Sequence, residues 1–197
     1  MDERDKRRVG EQVEPGGRAK APGRLELVQR FVNTHNHDLP LDWDRIGTAE
    51  KAAGWLRQKR LIAPGDPVSE DEASRLRELR EAIRALAVAN QGGEPDAAAI
   101  EVVRAAAHPL RVAVDDRGRT ALEPAGRGVE GAVATLLGIL HEAQLTGRWA
   151  RLKGCRQCGY AFYDRSKNRS AAWCAMAICG NRTKNRAYYR RRHGAAP

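Results

Sequence analysis

Cys155 to Arg192 reads CRQCGYAFYDRSKNRSAAWCAMAICGNRTKNRAYYRRR. All four cysteines of the 197-residue chain lie in it, as a C-x2-C pair (Cys155, Cys158) and a C-x4-C pair (Cys174, Cys179), with fifteen residues between the pairs. Each spacing lets two thiolates reach one ion, and the segment between them is long enough to turn back. Tetrahedral Zn²⁺ held by four thiolates is the simplest reading; an Fe–S cluster accepts the same donors. Two disulfides would need an oxidising compartment, and Met1 to Pro22 carries charges but no apolar export segment.

The stretch has too few large apolar residues for a core of its own. Structural zinc typically supplies about 10–16 kcal/mol of apparent binding energy that doubles as folding energy. Gly159 suits a tight turn under the metal. Tyr160 to Asp164 and Ala171 to Cys174 are expected as short strands around a turn at Arg165 to Ser170. A helix is expected from about Gly180 to Arg192. Knuckle, hairpin and helix in that order predict a small α+β, treble-clef-like finger.

These residues also carry a resemblance. Cys179-Gly180-Asn181-Arg182, with Trp173-Cys174 before it and Lys184 and Tyr188 after it, resembles the CGNR zinc-finger family. Phe162, Asp164, Ser166 and Asn168 sit where that family carries an F-x-D-x-S-x-N run. The resemblance implies an N-terminal ABATE domain ahead of the finger and a role as a stress-induced transcription regulator of bacteria. It also implies DNA binding, which the cysteine spacing alone does not show.

Charge provides a separate argument. From Arg148 to Pro197 there are 13 Lys and Arg residues and one acid, Asp164, for a net +12; residues 1–147 hold 22 basic and 24 acidic residues, for −2. Four thiolates around zinc are formally −2, so most of this excess is left for a polyanionic partner. On the expected helix Arg182, Arg186, Tyr189 and Arg190 share a face, with Lys184, Tyr188, Arg191 and Arg192 beside it. Arg can pair with guanine and Asn with adenine, so Asn181 and Asn185 join the candidate readers, while Lys184 serves phosphate. The competing account is a solvated basic tail that clings to any nucleic acid.

Before the finger, residues 1–23 are polar and rich in Pro and Gly, and read as a flexible leader. Residues 24–147 are expected to form a mainly helical domain with one β-hairpin, and residues 148–197 the finger and its basic helix. The first helix should run from Arg24 to about Asn33, with Leu25, Val28, Phe31 and Val32 inward. Phe31-x-Asn33-Thr34 is similar to the opening motif of the ABATE family. Asn33, His35 and His37 follow as candidate effector ligands, with a plain polar loop as the alternative. A second helix is expected from Thr48, a good N-cap, to Arg60. Ser69-Glu70-Asp71-Glu72 is a capping box that starts a third, with Leu76, Leu79, Ile83, Leu86 and Asn90 on one stripe. Arg80 and Arg84 are placed on its rim, facing solvent or an anionic effector. Pro95 opens a fourth helix. Leu110 to Val114 and Arg119 to Leu122 form a hairpin through Asp115 to Gly118. A long apolar helix then runs from Arg127 to Thr146, and Arg148 to Leu152 connects it to the finger.

No phosphate-loop, H-E-x-x-H or G-x-S-x-G motif is present. Zinc with four thiolates has no open position to activate a water, so an enzyme is not expected. No apolar run approaches a membrane span. The sequence therefore predicts a cytoplasmic, nucleoid-associated regulator. Its finger binds duplex DNA, and its helical domain senses a small molecule or forms a homodimer; the alternatives are a nonspecific nucleic-acid-binding accessory protein, or a small-molecule-binding protein whose zinc finger is purely structural.

Overall fold

Residues 18–193 are described by the computed structural model; most of the expected leader, residues 1–17, lies outside them. Three helices open the fold: α1 (Leu25–Val32), α2 (Ala49–Gln58) and α3 (Glu70–Ala89). Helices α2 and α3 begin as their sequence directs. The Thr48 hydroxyl accepts from the Lys51 amide at 3.2 Å. Ser69 and Glu72 cap each other's backbone amides, at 3.2 and 2.8 Å, which satisfies two donors that helix geometry leaves free. Asp96 caps the next helix, α4 (Ala97–Ala105), through the Ala98 and Ala99 amides.

The hairpin follows as β1 (Leu110–Val114) and β2 (Thr120–Pro124), antiparallel with Val112 opposite Leu122. It lies on α5 (Gly128–Leu145), where Gly138 leaves room for the Leu110 side chain. Helix α5 is apolar nearly all round. Ala132, Leu136, Ile139 and Leu140 are buried in it, as befits a helix covered on several sides. Helices α1, α3 and α5 pack around one core, with α2 on α3. Phe31 and Trp55 meet there with ring centroids 5.7 Å apart.

That core continues past residue 147. A short turn at Trp149–Arg151 leads into β3 (Leu152–Gly154), which pairs antiparallel with β4 (Ala161–Tyr163). Leu152 and Ala161 are fully buried in the same apolar cluster as α1, α3 and α5. The chain ahead of α1 joins in: Ala21 is buried, its amide donates to Gln29 Oε1 at 2.6 Å, and the Ala19 carbonyl accepts from the Tyr163 amide at 3.3 Å.

Two expectations need correction. Ala171 to Cys174 is not a strand; β4 pairs with Leu152–Gly154 instead. The Ala171 amide donates to the Asp164 carboxylate at 3.0 Å, so the returning segment is fastened as a loop. Arg80 and Arg84 are not on a rim either, being only 4% and 3% exposed. They are buried because their guanidinium groups have anionic and carbonyl partners inside.

Candidate zinc centre and nucleic-acid interface

The strand pair β3–β4 is a hairpin whose loop is the C-x2-C knuckle. The Cys155 amide donates to the Tyr160 carbonyl at 2.9 Å, and the Gly159 amide to the Cys155 carbonyl at 2.8 Å. Gly159 has φ +70°, a left-handed conformation that glycine adopts without strain. A wide helical turn, Met176–Gly180, carries the fourth cysteine. Its amides at Cys179 and Gly180 both donate to the Ala175 carbonyl, at 3.0 and 3.2 Å.

These two turns bring all four sulfurs within 4.8 Å of one another, and all four cysteines are buried. Cys158–Cys174, Cys174–Cys179 and Cys179–Cys158 are separated by 3.7, 3.6 and 3.6 Å. A tetrahedron with Zn–S bonds of about 2.3 Å has edges of about 3.8 Å, so the cage fits zinc. Without a cation, thiolates this close oppose one another's charge. Hydrogen bonding with Cys155 pushes the Cys174 thiol up to about 12 and also pushes Cys158 up, while Cys155 is drawn down by donation from Cys158 and Cys174. A divalent ion instead favours the thiolate form of the ligands it binds. Cys155, Cys158, Cys174 and Cys179 are placed together where they could hold zinc, with Tyr160 and Phe162 packed against them.

Asp164 organises the loop between the cysteine pairs. Its carboxylate accepts from Lys153 Nζ at 2.9 Å, from the Ser166 amide at 2.9 Å and from the Ala171 amide at 3.0 Å. Burial works against the charge, but the hydrogen bonds from Lys153 and Ser166 prevail and hold this carboxyl at about 2. The F-x-D-x-S-x-N run is thus in good part a loop-building motif.

Helix α6 (Asn181–His193) starts directly after Gly180. The Thr183 hydroxyl donates to the carbonyl of Cys179 at 2.9 Å, so the last zinc ligand sets where the helix begins. Arg182, Lys184, Asn185, Arg186, Tyr189 and Arg190 are all exposed on it. Arg186, Tyr189 and Arg190 line a shallow groove of about 480 Å³ with Gln157 of the knuckle. Arg186 Nη1 donates to Gln157 Oε1 at 3.4 Å. Asn181 Nδ2 donates to the Ala177 carbonyl at 3.3 Å, whereas Arg182 is paired with Asp38 at 2.7 Å.

The candidate effector residues are brought together, and much of their bonding capacity goes to the zinc knuckle and its hairpin. Asn33 grips both backbone groups of Ala161, each at 2.8 Å. The His37 amide donates to the Cys158 carbonyl at 3.1 Å, and its ring to Glu81 at 3.2 Å. Buried His35 donates to the Leu39 carbonyl at 3.1 Å. Arg84 donates to the carbonyls of Gly159 at 2.6 Å and of Val32 and His35 at 2.7 Å, and to Glu81 at 2.9 Å. Arg80 pairs with Asp44 at 2.7 Å. Burial opposes charge on Glu81, yet Arg84, His37 and Arg80 hold its carboxyl at about 2.

Sequence reasoning missed Asn90, whose Nδ2 donates to the carbonyls of Trp149 at 2.9 Å and Leu152 at 2.8 Å. The signal was present: an amide on an apolar helical stripe needs buried partners. It missed Asp38 as well, for which no local pattern exists.

Comparison with known families agrees with this construction. Residues 25–153 match the ABATE family, described as "Putative stress-induced transcription regulator", and residues 151–192 match the CGNR zinc finger. A search of curated proteins gave no significant match. The two family matches overlap at residues 151–153, where the turn at Arg151 enters β3, a strand that serves both the helical core and the zinc hairpin. The chain belongs to the ABATE family and carries a CGNR zinc finger after the ABATE region.

Proposed function

We propose that this protein is a transcription regulator that binds duplex DNA through α6. The observation that carries the reading is the cationic helix on a metal-fixed base. Arg182, Lys184, Arg186, Arg190 and Arg192 are exposed on α6, which grows out of the last zinc ligand. The net +12 of residues 148–197 supplies the field that draws a polyanion. Arg186 and Arg190 are the leading phosphate or guanine contacts, with Asn181 and Asn185 as adenine readers. Tyr189 offers a ring to the sugar or base edge.

The helical domain takes the sensing or dimerisation role. A cavity of about 410 Å³ between α3, α4 and α5, floored by Leu76, Leu79, Val129 and Val133, supports a small-molecule effector. The zinc site is read as structural and the protein as a non-enzyme, because four thiolates complete a tetrahedral shell. Among the described residues no helix is long and apolar enough to cross a membrane. A cytoplasmic, nucleoid-associated location accords with the regulatory reading.

The test is selection from random duplex DNA with zinc-loaded and chelated protein. Enrichment of a sequence by the zinc form alone supports the reading. Equal retention of random duplex, single strands and RNA would instead favour nonspecific nucleic-acid binding. Absence of salt-dependent retention in every arm would refute both.

A further inference from the structure

We infer that Asp38 of the helical domain is an internal stand-in for a DNA phosphate, which occupies Arg182 in the free protein and lowers its affinity for duplex. The inference rests on the duplex-DNA reading above. Asp38 Oδ2 lies 2.7 Å from Arg182 Nη1, between residues 144 positions apart in the chain, with side chains 34% and 51% exposed. Among the described residues this is the one ion pair formed by a cation of α6. The single acid of residues 148–197, Asp164, is buried against Lys153 and unavailable to the helix.

The carboxylate is placed there by the zinc knuckle. The His37 amide donates to the Cys158 carbonyl at 3.1 Å, and the Asp38 amide donates to Asn36 Oδ1 at 3.0 Å. The loop that carries Asp38 is thus tied to the same hairpin that sets the zinc site. Arg182 cannot receive a phosphate without either leaving Asp38 or placing two anions beside one guanidinium. In either case the pair is lost or opposed on binding. A carboxylate that takes up a counterion as Arg182 leaves also cancels part of the ion release from DNA that drives association.

The experiment measures binding of zinc-loaded protein to a random-sequence duplex over a range of salt concentrations. It compares the parent, Asp38→Asn, Arg182→Ala and the double variant, with Asp38→Ser as a second removal of the charge. Zinc content and circular dichroism verify that each is folded. Asp38→Asn and Asp38→Ser are expected to bind about two- to fivefold more tightly than the parent, the range set by an exposed ion pair. The slope of log affinity against log salt should steepen by up to about 0.9. In the Arg182→Ala background the Asp38→Asn gain should disappear. Unchanged or weaker binding by both Asp38 variants overturns the inference, because Asp38 would then be idle or would orient Arg182 for contact. An equal gain with and without Arg182 also overturns it, since the effect would be general repulsion. If the parent shows no salt-dependent affinity, the duplex-DNA reading itself fails, an outcome distinct from a parent that binds and an Asp38 variant that does not gain.

Discussion

Asn33 holds Ala161 by both ends of its side-chain amide. Nδ2 donates to the Ala161 carbonyl and Oδ1 accepts from the Ala161 amide, each at 2.8 Å. The side chain thereby acts as one residue of a third strand beside β4. Ala161 is completely buried, so no water replaces these bonds. Asn33→Ala should destabilise the protein by about 1–3 kcal/mol, the cost of leaving the buried Ala161 amide without an acceptor; the Ala161 carbonyl keeps the bond from Gln29 Nε2 at 3.2 Å. Urea denaturation measures this. A loss below about 0.5 kcal/mol would show that the backbone of β4 finds other partners.

Acid should act through Glu81. Its folded-state carboxyl sits near 2, against an ordinary 4.5, so its contribution is fully present above about pH 4.5 and fades as pH falls through 2. Glu81→Gln removes the charge that Arg84, Arg80 and His37 share. The variant should be less stable than the parent by about 1 kcal/mol at neutral pH, because solvent screens a carboxylate that is 41% exposed. The difference should shrink steadily between pH 4.5 and 2. Zinc loss at low pH affects parent and variant alike, so the difference between them, followed by denaturation at each pH, isolates the carboxylate.

The extent to which the fold is legible in the sequence follows the range of each interaction. The zinc site is written locally, because four thiolates at those spacings have few other uses and the cage then forms. Helix starts are local as well, as the reciprocal cap of Ser69 and Glu72 shows. Arg84 is the opposite case. Its partners are carbonyls at Val32, His35 and Gly159, two of them on a loop or hairpin distant in sequence. A surface arginine and a buried one look the same on a helical stripe until those carbonyls are in place. The partner of β4 was misread for a related reason. Ala171 to Cys174 has strand-like composition, but the buried Lys153–Asp164 pair claims the Ala171 amide.

Removal of zinc should separate the two apolar clusters. The one around α1, α3 and α5 contains no cysteine, whereas Tyr160 and Phe162 pack chiefly on the four ligands. Cys179→Ser or a strong chelator should therefore abolish stoichiometric zinc binding and unravel α6, which begins at that ligand. Helices α1 to α5 should persist. Amide exchange read along the chain checks this: loss of protection centred on about residues 165–193 is expected, with Ala161 of β4 retained by the helical core, and global loss would mean that the helical core depends on the metal.

On the proposed DNA face, Arg186 and Arg190 flank the groove beside Gln157. Arg186→Ala and Arg190→Ala should each weaken duplex binding and reduce the salt slope by about 0.9 if the residue meets a phosphate. An arginine that reads guanine should instead lose about 1–3 kcal/mol for the preferred sequence and relax selectivity at one base pair. Neither side chain packs in a core, so thermal stability should stay within about 0.5 kcal/mol of the parent. Two variants that bind like the parent would move the reading face elsewhere on α6, toward Lys184 and Asn185.

Gly154 is a place where the zinc hairpin lies close against α3. A Cβ there would collide with the Val88 side chain and lie 3.2 Å from the Val88 nitrogen and 3.4 Å from the Arg84 carbonyl oxygen. Its backbone is not in the left-handed region, so Ala in place of Gly carries no conformational penalty and should even stabilise a strand by reducing unfolded-state entropy. The clash opposes that gain. Overpacking typically costs about 1–3 kcal/mol, which exceeds the roughly 0.4–1 kcal/mol available from the entropy term, so Gly154→Ala should destabilise. Val88→Ala removes the movable part of the obstruction and leaves the two backbone atoms. The double variant should recover part of the loss, so that denaturant unfolding of all four proteins should show it destabilised by less than the sum of the two single variants. Simple additivity would mean that β3 is free to shift away from α3, and with it the knuckle that holds Cys155 and Cys158.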